Sequence, residues 1–170
     1  MIQNGEISPS GKLLAKIYGE TDLLIAESIR EGVFTELSAI DLVSVISAFV
    51  YESRSEEVTK LPRGEIAEAL AKISKIYGKL FNIENDHNLE PMRAPDFGFC
   101  WPARGWANGQ SLTSVLKDSD LTVGDFVRNI KQIVDLLRQL RGAVPELQFT
   151  IEDALKRIDR GVVIYAGAAV

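Results

Sequence analysis

The residues best placed to do chemistry in this sequence lie along one line of a single helix. In "GDFVRNIKQIVDLLRQL", residues 124–140, Arg128, Gln132, Asp135 and Gln139 recur at helical steps. At 100° per residue they fall within about 60° of arc. Lys131 and Arg138 flank that line on one side. Arginine and lysine can hold phosphates, whereas glutamine and aspartate can bond to sugar hydroxyls or base edges. A groove tracking a single nucleic-acid strand wants that mixture, together with an aromatic platform for a base. Trp106 and Trp101 are the candidates, although Trp106 reads first as an indole that anchors the core. The pattern also fits a solvated face, because surface helices are amphipathic by default. A face needing only solubility, however, more often carries Glu and Lys at i, i+4.

Other reactive groups are sparse. No GxxxxGK[ST] phosphate loop is present. The one histidine, His87, lies in the loop "ENDHNLE" and reads as a solvated side chain rather than a metal ligand. Cys100 stands between Phe99 and Trp101 with no basic neighbour to lower its pKa, so it reads as a buried, inert thiol. No two carboxylates are paired in an apolar setting for acid–base work. The chain reads as having no catalytic residue, no metal site and no enzymatic activity of its own.

The elements that must position the polar line are helical. "KLLAKIY" is a short helix ended by Gly19, after a polar opening "MIQNGEISPSG". "TDLLIAESIREG" is a second, with Thr21 or Asp22 as cap and Gly32 as stop. "SAIDLVSVISAFVYESR" is a third, opened by Ser38 with Asp41 and apolar nearly all round from Leu42 to Tyr51, which makes it central. After a turn at Leu61-Pro62, Ile66, Leu70, Ile73, Tyr77 and Leu80 mark a long amphipathic helix. A loop with two prolines leads to a short aromatic helix, "FCWPARGWANG", in which Pro102 must sit in the first turn. "SLTSVLKDSD" is a further short helix. The quoted helix opens at Thr122 with Asp125 and runs to about Gly142 before Pro145, and Thr150 with Asp153 opens the last one. The tail "GVVIYAGAAV" reads as its buried end. No alternating strand pattern bounded by hairpin turns appears, so the expected fold is all-α, a single bundle of about seven helices.

Composition sets outer bounds. With 170 residues, 46% hydrophobic and 25% charged, the chain is long enough for one domain with a real core. A net charge of −5 argues against a surface that grips nucleic acid everywhere. The charge is uneven, though: residues 1–120 hold 12 basic and 18 acidic side chains, and residues 121–170 hold 7 and 6. Any polyanion contact belongs in the last third. A single cysteine, no signal peptide and no membrane-spanning run point to the cytoplasm.

Four separated segments, "LLAKIYGETDLLIAESIREGVF", "LVSVISAFVYESR", "GWANGQSLTSVL" and "LTVGDFVRNIKQIVDLLRQL", resemble the DSHCT domain. That is the C-terminal helical domain of DExH-box RNA helicases of the exosome-associated and superkiller type, here in its actinobacterial-like version. The resemblance covers roughly residues 11–165. Its most specific elements are Ser-Ala-Phe-Val-Tyr-Glu at 47–52, Trp106-Ala107 with Gly109, and Gly-Asp-Phe-Val-Arg from 124. The polar opening reads as a flexible lead-in over 1–10, and the resemblance implies a helical domain over 11–170. The domain would pack on two RecA-like ATPase domains and a winged helix of the same polypeptide. ATP and Mg²⁺ would bind in those motor domains and not here. Residues 124–141 would be a ratchet helix presented to single-stranded RNA. The two RNA-contacting positions of the eukaryotic relatives, commonly an arginine followed by an acid, fall at Gln132 and Asp135. Gln132 departs from that arginine, so Arg128 or Lys131 would have to supply the phosphate contact. The rival expectation is a structural or protein-docking bundle with no nucleic-acid contact.

Overall fold

The structure is a computed structural model that describes residues 2–3, 6–53, 63–117 and 119–165. The fold is all-α, as the periodicities require. Nine helices are present among the described residues: α1 (Pro9–Leu14), α2 (Asp22–Arg30), α3 (Ala39–Val50), α4 (Glu65–Asp86), α5 (Cys100–Ala107), α6 (Leu112–Leu116), α7 (Val123–Ala143), α8 (Gln148–Ile158) and α9 (Val162–Tyr165). The only strand pairing among these residues is a two-residue antiparallel ladder of Ile2–Gln3 with Glu6–Ile7. The turn expected at Leu61-Pro62 falls outside the described residues.

α3 is the centre of the bundle. Its residues from Leu42 to Ala48 are wholly buried, and it packs against α4, α5, α7 and α8. A helix surrounded in this way has no face left for charge, which is why its sequence is apolar all round. Its two buried hydroxyls are both satisfied. Ser44 Oγ donates to the Cys100 carbonyl at 2.8 Å, tying α3 to α5, and Ser47 Oγ donates to the Ser44 carbonyl at 2.7 Å. Ser38 opens the helix by accepting from the Asp41 amide, as the capping pair predicts.

Three boundaries differ from the sequence reading, each for a local reason. α1 starts at Pro9, not Lys12. Ser8 caps it by accepting from the Gly11 amide, and Pro9 sits in the first turn, where its missing N–H costs nothing. It ends at Leu14, so Ile17 and Tyr18 belong to the connection to α2. α8 starts at Gln148 rather than Thr150. A 3-10 turn at Pro145–Leu147 launches it with no side-chain cap, and Asp153 pairs instead with Arg157 at 2.9 Å. Finally, the last helix is broken at Gly161, whose φ of +55° suits glycine, and the break separates α8 from α9. Arg160, one residue earlier, lies over the Trp106 ring at 3.6 Å and donates to the carbonyls of Trp106 and Gln110. Of the apolar tail, Val163 is buried and Ile164 is half exposed; residues 166–170 fall outside the described set.

Candidate nucleic-acid interface

α7 is set by its cap and its apolar face. Thr122 Oγ1 accepts from the Asp125 amide at 3.1 Å and donates to the Asp125 carboxylate at 2.8 Å. Phe126, Ile130, Ile133, Val134, Leu137 and Leu140 are all buried, as their spacing predicts. Phe126 anchors the N-terminal half. Its ring meets Trp106 edge-on at 5.4 Å and Phe99 at 5.6 Å. Such contacts add about 0.5–1.5 kcal/mol per pair to the burial itself. With this face fixed in the core, the opposite residues have only one direction to point.

That direction is a groove of about 710 Å³. Arg128, Gln132, Asp135 and Gln139 line it along α7, with Asn129 and Leu136 below them. The far wall comes from two other parts of the chain, Tyr18–Thr21 ahead of α2 and the end of α3 at Phe49, Val50, Glu52 and Ser53. Arg93, from the loop after α4, joins them.

Charged hydrogen bonds hold that wall in place. α3 ends with carbonyls that have no helical partner. Arg93 satisfies two of them, donating from Nη1 to the Tyr51 carbonyl and from Nη2 to the Phe49 carbonyl, each at 2.6 Å. Thr21 Oγ1 donates to the same Phe49 carbonyl at 3.1 Å, which locks the start of α2 onto the end of α3. Asp96 completes the clamp, accepting from the Ser53 amide at 2.6 Å and the Gly98 amide at 2.8 Å. Gly98 is required here by space. A Cβ at that position would come within 2.8 Å of the Tyr51 ring, which stacks on Phe99.

The four stripe residues are held very differently from one another. Gln139 Oε1 accepts from the Tyr18 amide at 2.8 Å, stitching α7 to the connection before α2. Asp135 lies 3.6 Å from Arg138. Arg128 is largely exposed, with only a long contact of 3.8 Å to Asp125. Gln132 has no hydrogen-bond partner among the described residues. The groove is not strongly basic. Arg93 and Arg128 face Glu20, Glu52 and Asp135, and Arg93 is already engaged. It can accept a phosphate at one point and offers donors and acceptors elsewhere.

The remaining candidates do not join this site. Lys131 and Arg138 lie on the flank of α7 away from the groove, and Arg138 reaches Asp159 at 3.4 Å as well as Asp135. Trp106 is only 3% exposed. Its Nε1 donates to the Ile158 carbonyl at 2.9 Å, and Arg160 and Phe126 cover its ring, so it has no face open to a base and anchors the core instead. Trp101 is exposed, but it lines a separate cleft of about 590 Å³ with Arg104, Asn108 and Gln110. Cys100 is buried, and burial pushes its thiol up to about 11, so it stays neutral. His87 caps the end of α4, its Nδ1 lying 2.8 Å from the Ile83 carbonyl. Among the described residues no cluster of His, Cys, Asp or Glu is arranged to hold a metal, and no helix is long and apolar enough to cross a membrane.

Sequence reasoning found the floor of the groove and missed its wall. The two-proline loop around Arg93 carried a visible signal, an arginine between prolines, but nothing in its spacing tied it to α3. Asn129 is buried at the edge of the stripe, its Nδ2 donating to the Asp125 carbonyl, and periodicity alone did not single it out.

Residues 4–166 match the family model of the DSHCT (NUC185) domain. A probable helicase, HelY, of Mycobacterium tuberculosis (strain ATCC 25618 / H37Rv) is 37% identical over 172 residues, covering 92% of this chain and 19% of that protein. The probable helicase HelY of Mycobacterium leprae (strain TN) is 36% identical over 173 residues, covering 93% of this chain and 19% of its own length. The exosome RNA helicase MTR4 of Homo sapiens is 24% identical over 172 residues, covering 94% of this chain and 16% of that protein. The chain thus spans less than a fifth of these curated relatives. Matched across nearly its whole length, this chain belongs to the DSHCT (NUC185) domain family.

Proposed function

We propose that this domain is the helical C-terminal portion of an ATP-dependent RNA helicase, in which α7 guides a single RNA strand past the motor core. The observation that carries the reading is the convergence of Arg128, Gln132, Asp135 and Gln139 on one open groove, with the Gln132 amide left unpaired among the described residues. A polar side chain without a partner in a walled groove can donate to and accept from a base edge or a ribose hydroxyl. The helicase names of the similar proteins support the same assignment. In this reading the domain packs on RecA-like ATPase domains of the same polypeptide. ATP and Mg²⁺ belong to those domains, and the protein works in the cytoplasm. The helical domain binds, orients and releases the strand and catalyses nothing itself.

The charge of the groove sets its strength. Arg128 offers one phosphate contact, with Lys131 near the helix flank, so binding by this surface is weak and mildly salt dependent. Photo-cross-linking of the full-length protein to 4-thiouridine RNA tests the reading. Adducts are expected within 128–139, and Arg128→Glu is expected to slow unwinding. If no adducts fall in that span and Arg128→Glu unwinds at the normal rate, α7 does not guide the strand.

A second reading draws on the three carboxylates of the groove, Glu20, Glu52 and Asp135, which suit a basic protein segment. In that case the groove is a docking face, and the cross-links to RNA are absent while adducts to protein appear.

A further inference from the structure

A groove that tracks a single strand gains most of its sequence-tolerant affinity from aromatic surfaces on which bases stack. Neither tryptophan offers one here, since Trp106 is buried and Trp101 lines another cleft. The groove does have an aromatic side chain, at a position with no helical periodicity to reveal it. Tyr18 lines the groove and is 76% exposed.

Exposure alone decides nothing, because single apolar side chains are common on surfaces. The mounting of Tyr18 is more informative. After α1 the chain turns through amide contacts from Lys16 to the Leu13 carbonyl and from Ile17 to the Leu14 carbonyl. Ile17 is then planted in the core at 2% exposure. The next amide, that of Tyr18, donates to Gln139 Oε1 at 2.8 Å. Two residues on, Glu20 reaches Arg93 at 3.5 Å, and Thr21 is bonded to the end of α3. The backbone of Tyr18 is therefore fixed on both sides while its ring stands in solvent at the rim. An ordered backbone carrying an exposed ring loses little further entropy on binding.

Gln139 adds a second feature. Its carbonyl oxygen is used by Tyr18, but its amide N–H groups have no partner among the described residues. The two residues thus meet at one end of the stripe, Tyr18 carrying the ring and Gln139 the donors. Arg128 marks the other end, eleven residues and about 16 Å away along the helix axis. The cation suits a phosphate, and the ring with its neighbouring donors suits a base.

We propose that Tyr18 is a base-stacking platform, taking an unpaired nucleobase of the strand at the Gln139 end of the groove. The inference rests on the strand-guiding reading of that groove. A π-face accepts any base, so Tyr18 contributes affinity without sequence preference, and the unpaired donors of Gln139 meet the same base or its ribose.

The test uses the full-length protein and a fluorescein-labelled single-stranded RNA, with affinities measured by anisotropy at several salt concentrations. Tyr18→Ala is expected to weaken binding by about 5- to 150-fold, whereas Tyr18→Phe keeps the ring and stays within about twofold. The slope of affinity against salt is expected to be the same for all three proteins, because stacking releases no counterions. An abasic nucleotide scanned along the RNA should weaken the native protein at one position and leave Tyr18→Ala unaffected there. Equal losses in Tyr18→Ala and Tyr18→Phe would implicate the hydroxyl and overturn stacking. Native-like binding by Tyr18→Ala, with weakened binding by Gln132→Ala, removes Tyr18 and keeps the groove. Native-like binding by Tyr18→Ala, Gln132→Ala and Arg128→Glu together removes the strand-guiding reading itself.

Discussion

The two faces of α7 are built from one run of residues and held by opposite means. The core face needs only shape. Phe126 fits between Phe99 and Trp106, and no buried side-chain nitrogen or oxygen among the described residues lacks a hydrogen-bond partner. The groove face depends on distant parts of the chain, since its wall comes from Tyr18–Thr21, the end of α3 and Arg93. On it, Gln132 is left with no hydrogen-bond partner among the described residues. Folding gains nothing from an exposed unpaired amide, so stability and ligand contact should separate cleanly between the two faces.

The largest expected effect belongs to the core face. Phe126→Ala removes a fully buried ring at the junction of α5 and α7 and leaves a cavity beside Trp106. A loss of about 3–5 kcal/mol is expected. Urea unfolding followed by far-UV circular dichroism reads it as a lower midpoint with an unchanged slope. RNA affinity extrapolated to the folded fraction should barely move. A protein as stable as the native one would mean that the aromatic junction is not what holds α7 down.

A smaller effect falls where the faces meet. Arg93→Met keeps the length of the side chain but removes both donors to the end of α3, leaving the Tyr51 carbonyl without that partner while Thr21 still bonds the Phe49 carbonyl. Charge-assisted bonds of this kind contribute about 1.5–3 kcal/mol each, reduced here by partial exposure, so a loss of about 2–3 kcal/mol is expected. Unlike Phe126→Ala, this change should also weaken RNA binding by the molecules that remain folded, because the wall loses its clamp. A purely thermal effect, with binding unaltered, would show that the wall needs no clamp to form the groove.

These contrasts follow how legible each part was in the sequence. The core face was readable because burial imposes a period. Phe126, Ile130, Ile133 and Leu137 repeat at helical spacing, and α3 announced its central place by having no polar side. The same period isolated the floor of the groove. It could not find the wall, because Tyr18, Thr21, Ser53 and Arg93 lie in connections, where side-chain direction follows tertiary bonds rather than a repeat. Trp106 was open to two readings for a related reason. An indole can stack a base or fill a core, and only the Nε1 bond to Ile158 and the cover of Arg160 decide for the core. Thr150 misled because Ser/Thr-x-x-Asp marks a helix start only where the chain is not already helical, and Pro145 had begun the turn earlier.

The smallest effect on stability, and the most specific on function, is expected at Gln132. Truncating an exposed side chain that has no hydrogen-bond partner among the described residues should change the unfolding free energy by less than about 0.5 kcal/mol. If the amide meets a base edge or a ribose hydroxyl, Gln132→Ala loses one neutral hydrogen bond to the strand, worth about 0.5–1.5 kcal/mol or roughly a two- to twelvefold fall in affinity. Gln132→Arg separates the kinds of contact. An arginine that reaches a phosphate should raise affinity and steepen its salt dependence by about one counterion. An arginine that can only replace a base or sugar contact should leave the salt slope where it was. A steeper slope with unchanged unwinding would mean that this position gains grip without using it in movement. Unchanged affinity in both variants would place the strand elsewhere and leave the open face of α7 to a protein neighbour.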